Sequence, residues 1–160
     1  MLWRFAALLL AALSLGLAFA HVLEAPPRLL EWSPQLWRET TVFGGQYELF
    51  GLVGGPLDVL SILILAVLAF LLREDRDSRV PAVAAMLLYA AALGAWALVV
   101  APANTVLAGW TPGPLPEDFA AVRGRWETGH MIVAALKLAG FSALAIAILR
   151  ARPRGWRVAP

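Results

Sequence analysis

The residues of this chain best suited to chemistry are two histidines and a few carboxylates. His21-x-x-Glu24 and Glu127-x-x-His130 are both spaced i, i+3. On a helix each pair presents an imidazole and a carboxylate on one face. An imidazole takes up or gives a proton near neutral pH and is also a common metal ligand. The stretch Arg123–Lys137 adds Trp126, and it places Lys137 two turns beyond His130. Asn104 and Trp126 bring further polar groups to the same level.

These residues can be combined in more than one way. Carboxylate-bridged di-iron bundles use Glu-x-x-His on two helices and a single Glu on the other two. His21, Glu24, Glu127 and His130 approach that set, with Glu48 or Asp58 as a further carboxylate. The match is partial, because the first motif runs backwards and the third apolar segment offers only Asn104. The two histidines alone meet the requirement of a bis-histidine haem, although no haem-attachment motif is present. A cofactor-free site, or surface pairing of Glu24 and Glu127 with Arg28, Arg123 or Arg125, stands beside these readings. Such surface pairs would contribute little.

The elements that must position these groups are apolar. Of 160 residues, 61% are hydrophobic and 15% charged. Soluble domains are ~45–50% apolar. Four stretches, about 5–23, 49–72, 80–100 and 128–149, reach the ~20 residues needed to cross a bilayer core. Short connections favour antiparallel neighbours, so the expected fold is an all-α, up-down transmembrane four-helix bundle forming one domain over residues 1–160. There is no cysteine, which excludes disulfides and thiolate chemistry. No basic patch with interleaved aromatics supports nucleic-acid binding. The expected partners are the lipid bilayer and an apolar small molecule, with an oligomer left open.

The first stretch has a rival reading. Met1-Leu-Trp-Arg, an apolar run and Ala18-Phe19-Ala20 follow the order of a signal peptide. Cleavage would make His21 the N-terminus, an arrangement able to bind copper. The run exceeds the ~7–15 residues of such a segment, which favours a retained span.

Arginine placement predicts orientation. Arg4, Arg73, Arg76, Arg79, Arg150, Arg152, Arg154 and Arg157 fall at one end, against Arg28, Arg38, Arg123 and Arg125 at the other. Both termini are therefore expected in the cytoplasm, with the chain in the inner membrane. The residues after Arg150 read as a short basic tail on an anionic leaflet.

Polar side chains collect at the level of the two longer loops, whereas the opposite half is nearly all apolar. That half offers no polar path across, which weakens a transporter reading. Asp58 and Lys137 lie near mid-bilayer by residue count, and a lone charge there costs at least ~2.5–3.5 kcal/mol. An internal ion pair is the expected solution. Gly51, Gly54, Gly55 and Pro56 should allow close packing and a bend in the second span, either as plain packing or to widen a cavity. Tyr89 and Trp96, seven apart, are expected on one face, in aromatic packing or lining a pocket for a flat ligand.

In order, the chain carries His-Val-Leu-Glu-Ala-Pro at 21–26, Tyr47-Glu-Leu-Phe, Gly54-Gly-Pro-Leu-Asp58, Pro102-Ala-Asn104, and Arg123-Gly-Arg-Trp-Glu-Thr-Gly-His130. This set resembles the anthrone oxygenase-like family of small four-helix membrane proteins. The resemblance implies a membrane-embedded oxidoreductase that oxidises a flat aromatic or quinone-like molecule with oxygen. His21, Glu24, Asn104, Trp126, Glu127 and His130 are the matching positions. Asp58 stands where the family pattern leads one to expect Glu. Read from the resemblance and the residues together, His21 or His130 would be the base, Asn104 and Trp126 the oxyanion donors, and Glu24 or Glu127 would orient the histidines. The alternative is a non-catalytic membrane protein that binds a lipid, quinone or haem, or serves as a partner subunit.

Overall fold

A computed structural model describes residues 1–45 and 47–151. The tail arginines Arg152, Arg154 and Arg157 lie outside the described residues. Four helices are long and apolar enough to cross a membrane, spanning Leu2–Leu30, Glu48–Leu71, Arg76–Ala108 and Phe119–Arg150. They make an all-α bundle, and no strand occurs among the described residues.

The helices extend past the boundaries read from hydropathy. Helix α1 (Leu2–Leu30) continues through Pro26 and Pro27 rather than ending near residue 23. Polar side chains on its last turns find partners inside the bundle, so the helix is held beyond its apolar run. Ala18-Phe19-Ala20 lies within it, with Ala18 buried. A short helix α2 (Pro34–Arg38), capped by Ser33 Oγ accepting from Leu36 N at 3.2 Å, runs into a π-helical turn at Glu39–Phe43. Helix α3 (Glu48–Leu71) passes unbroken through Pro56.

Helix α4 (Arg76–Ala95) passes into a π turn at Trp96–Val100 and then α5 (Ala101–Ala108), where a loop from residue 101 was expected. Pro102 explains the change of geometry. It has no N–H for the Leu98 carbonyl, and Arg125 supplies one instead, donating to Leu98 O at 3.0 Å and Val99 O at 3.1 Å. Helix α6 (Phe119–Arg150) starts nine residues before the expected 128, so Glu127 and His130 sit well inside it.

Helix α1 packs on α3 and α6, and α4 packs on α3 and α6, which closes a four-membered ring. Side chains bridge both diagonals. Tyr89 Oη donates to Ala11 O at 2.7 Å, joining α4 to α1, and Lys137 Nζ donates to Asp58 Oδ1 at 2.6 Å, joining α6 to α3. The half of the bundle bearing the short 72–75 connection is filled by small and branched residues such as Ala7, Ala11, Leu65, Ala85 and Leu144. Small residues let backbones approach in lipid, where no hydrophobic effect draws helices together.

Gly140 marks one of the two tightest approaches, the other being Gly129 against Val100. A Cβ there would lie 2.7 Å from Tyr89 Cδ2 and 3.3 Å from Leu88 Cβ. The tyrosine ring is pinned by its hydrogen bond to Ala11 O and has little freedom to move. Gly140→Ala is therefore expected to cost about 1–3 kcal/mol by overpacking. Thermal unfolding in detergent should show a clearly lower midpoint, and an unchanged midpoint would show slack at this crossing.

Candidate functional site

At the opposite end, the π turn and the residues after it (Thr41, Val42, Gly45 and Tyr47) border a cavity of about 340 Å³. Ligand pockets usually span ~300–1,000 Å³. His21, Asn104, Trp126 and His130 all line this cavity, and Asp58 and Lys137 line it as well. Four separate helices supply these groups.

The histidines are stacked. Their ring centroids lie 3.9 Å apart with planes 20° from parallel. Trp126 meets His130 edge-on at 4.4 Å and His21 at 5.4 Å. His21 Nδ1 is buried and has no hydrogen-bond partner. Trp126 Nε1 donates to Asn104 Oδ1 at 2.8 Å. This bond fixes the amide, because an indole N–H can only donate. The Asn104 NH₂ is left to face other partners, and the expected role of Trp126 changes. Its only N–H is already engaged, so it orients Asn104 rather than meeting an oxyanion.

The two glutamates do not orient the histidines. Glu127 accepts three N–H bonds, from Arg28 Nε at 2.9 Å and Trp37 Nε1 at 2.8 Å on Oε1, and from the Arg28 guanidinium at 2.7 Å on Oε2. Glu24 accepts from Arg28 at 3.0 Å and from Tyr47 Oη at 2.8 Å. The expected metal set of His21, Glu24, Glu127 and His130 is thus corrected. The carboxylates turn towards Arg28, and among the described residues no three His, Asp or Glu side chains are grouped to hold a metal ion. A haem between the histidines does not fit either, since face-to-face rings 3.9 Å apart leave no room for a macrocycle. The Arg28–Glu127 pair is also not a surface contact, its side chains being 1% and 3% exposed.

Three supporting residues carry roles that spacing does not show: Arg28, expected only as a surface partner of the glutamates, and Trp37 and Tyr47, to which the sequence assigns none. Arg28 lies seven after His21 and four after Glu24, on one helical face. The Pro-Pro pair before it hid that periodicity. Trp37 and Tyr47 come from the segment between α1 and α3. Tyr47 accepts from Arg28 at 2.9 Å while donating to Glu24. Its hydroxyl pKa is pushed up to about 12, first by burial and then by the bond to Glu24, against the pull of Arg28.

Tyr89 and Trp96 do not share a lining. Tyr89 is drawn into the packed half by its bond to Ala11 O, whereas Trp96 stands at the cavity edge. Across from Trp96 the wall is formed by Gly51, Gly54 and Gly55 of α3. A Cβ on Gly51 or Gly55 would meet nothing within 4 Å, and both residues are exposed. On the α3 side the cavity lining thus includes glycines that reach the protein surface. Comparison with family models, with curated proteins and with solved structures finds no match to this chain.

Proposed function

We propose that this integral membrane protein is an anthrone oxygenase-like oxidoreductase acting on a flat, apolar aromatic or quinone-like molecule drawn from the bilayer. The observation that carries this reading is the meeting of the chain's only two histidines, stacked in a cavity partly walled by exposed glycines of α3, with one ring nitrogen unpartnered. A carbon acid such as anthrone loses a proton to a neutral imidazole and becomes an electron-rich enolate. The Asn104 NH₂ donates to the enolate oxygen. Oxygen adds at the carbanion carbon to give a hydroperoxide, and loss of water leaves the second carbonyl. Overall, one anthrone and one O₂ yield one anthraquinone and one water.

Orientation belongs to the same proposal. Both termini and the 72–75 connection face the cytoplasm, with the cavity on the far side of the inner membrane. The support comes from the arginines. Those at the cavity end are bonded within the protein: Arg28 to Glu127, Arg38 to Gly113 O at 2.8 Å, Arg123 to Arg28 O, and Arg125 to Leu98 O and Val99 O. Arg73, Arg76 and Arg79, at the other end, are exposed, Arg73 beside the likewise exposed Glu74 at 3.8 Å, and stand where they can meet headgroups and anionic lipid.

The test is oxygen uptake with anthraquinone absorbance when the protein in lipid nanodiscs is given anthrone. One O₂ should be consumed per quinone formed, well above the protein-free rate. No acceleration would sink the enzymatic reading. Saturable anthrone binding without oxygen uptake would instead favour a non-catalytic membrane protein that holds a quinone or lipid, for which the same cavity also serves.

A further inference from the structure

We infer that the Asp58–Lys137 pair is the polar anchor of this cavity, receiving the hydroxyl-bearing edge of a flat aromatic ligand that enters head first. The inference deepens the proposed function and rests on its reading of the cavity as an aromatic-ligand site. Lys137 and Asp58 are both buried, and both line the cavity. An ammonium has three donors. Among the described residues one of them is used, on Asp58 Oδ1 at 2.6 Å. Ser14 Oγ donates to the same oxygen at 2.6 Å, and Asp58 Oδ2 accepts from no described residue. The cavity floor therefore presents spare N–H donors beside a spare carboxylate oxygen.

A purely structural role leaves this arrangement unexplained. Joining α3 to α6 does not require charge, since well-packed apolar residues replace buried ion pairs at little or no cost in stability. Unused donors and acceptors at this depth are costly, and a ligand that completes them removes the cost. A donor and an acceptor side by side select a group that is both, which is a hydroxyl. A methyl ether or a bare ketone satisfies only the ammonium.

The spacing suits such a ligand. Lys137 lies seven residues after His130, a rise of about 10 Å along α6. Helical side chains lean towards the helix start, so the ammonium reaches from the floor towards the histidines. Leu17, Leu93 and Val133 line the cavity and give an apolar sleeve for a fused-ring body. The ligand class is thus a hydroxylated polycyclic aromatic, its hydroxyl at mid-membrane and its rings below the histidine pair.

Two probes decide the matter: 2-hydroxyanthraquinone and its methyl ether, 2-methoxyanthraquinone. Binding to the protein in lipid nanodiscs is read by quenching of tryptophan fluorescence, since Trp96 and Trp126 line the cavity. The wild-type protein should bind the hydroxy compound roughly tenfold more tightly, the worth of one hydrogen bond to a charged group. In the Asp58→Leu/Lys137→Met double variant, which leaves no unpaired buried charge, both probes should bind more weakly and the two affinities should converge, the hydroxy compound losing the more. Equal affinities in the wild-type protein, or a preference that survives in the double variant, would overturn the anchor while leaving the cavity an aromatic site. Failure of both probes to bind wild-type protein would overturn the anchor and the underlying reading together. The wild-type comparison stands even if the double variant does not fold.

Discussion

Glu127→Ala is expected to destabilise the protein by about 3–5 kcal/mol, because it strands a buried charge. The Arg28 side chain is 1% exposed and keeps only Glu24, Tyr47 and the His21 carbonyl when Glu127 is removed. Trp37, fully buried, loses its only acceptor at the same time. Three N–H groups are then left without a carboxylate, and each buried unsatisfied donor is costly. Folded proteins hold only about 5–15 kcal/mol in reserve, so much of the variant should be lost from the membrane fraction. Surviving protein should unfold at a much lower temperature in detergent. Glu24→Ala makes a useful contrast. Its side chain is 39% exposed, and the loss should be about 1 kcal/mol or less. A Glu127→Leu/Arg28→Met double variant should recover stability, since both charges go together. Equal midpoints for Glu127→Ala and Glu24→Ala would remove the distinction drawn between the buried and the half-exposed pair.

His130→Ala is expected to lower the rate of anthrone oxidation by about 10²–10⁴-fold, the usual contribution of a positioned general base. The fold should survive, because the His130 ring has no hydrogen-bond partner among the described residues and faces the cavity. Elution from a sizing column at the wild-type volume, with an unchanged unfolding midpoint, would establish that. His21→Ala should fall within the same range, and the double variant should be little worse than the poorer single one, because residues acting as a unit are not additive. Turnover within tenfold of wild type in both single variants would remove the imidazoles from the chemistry. If only His21→Ala is impaired, the proton goes to the ring on α1 and His130 serves as its stacking partner.

The length of each apolar run is enough to read four spanning helices and their antiparallel order. Residue count is also enough to set His21, Asp58, Asn104, His130 and Lys137 at the depths where the cavity lies. Two things were not legible. Proline obscured helix ends, since Pro26-Pro27 and Pro102 look like stops. Here the missing donors are tolerated, and in the second case Arg125 satisfies the released carbonyls. Spacing also assigns a face but not a partner. The i, i+3 rule aligns Glu127 with His130, yet a guanidinium fork matches a carboxylate in two parallel bonds and wins the competition. Nothing local to Glu127 identifies Arg28, 99 residues earlier, as that fork.

That separation bears on biogenesis. Arg28 lies in the last turns of α1, and Glu127 lies on α6, which is made well after it. Until α6 is made, the growing chain carries this guanidinium with only Glu24 and Glu31 close in sequence to neutralise it. The segment between α1 and α3 likewise waits for the Glu127 carboxylate that receives Trp37. Insertion of α6 thus ties down the segment bearing Trp37 and neutralises Arg28 of α1 in one step. A nascent chain stalled before residue 127 should remain open to protease at residues 31–47, and those cuts should disappear once α6 has entered the bilayer.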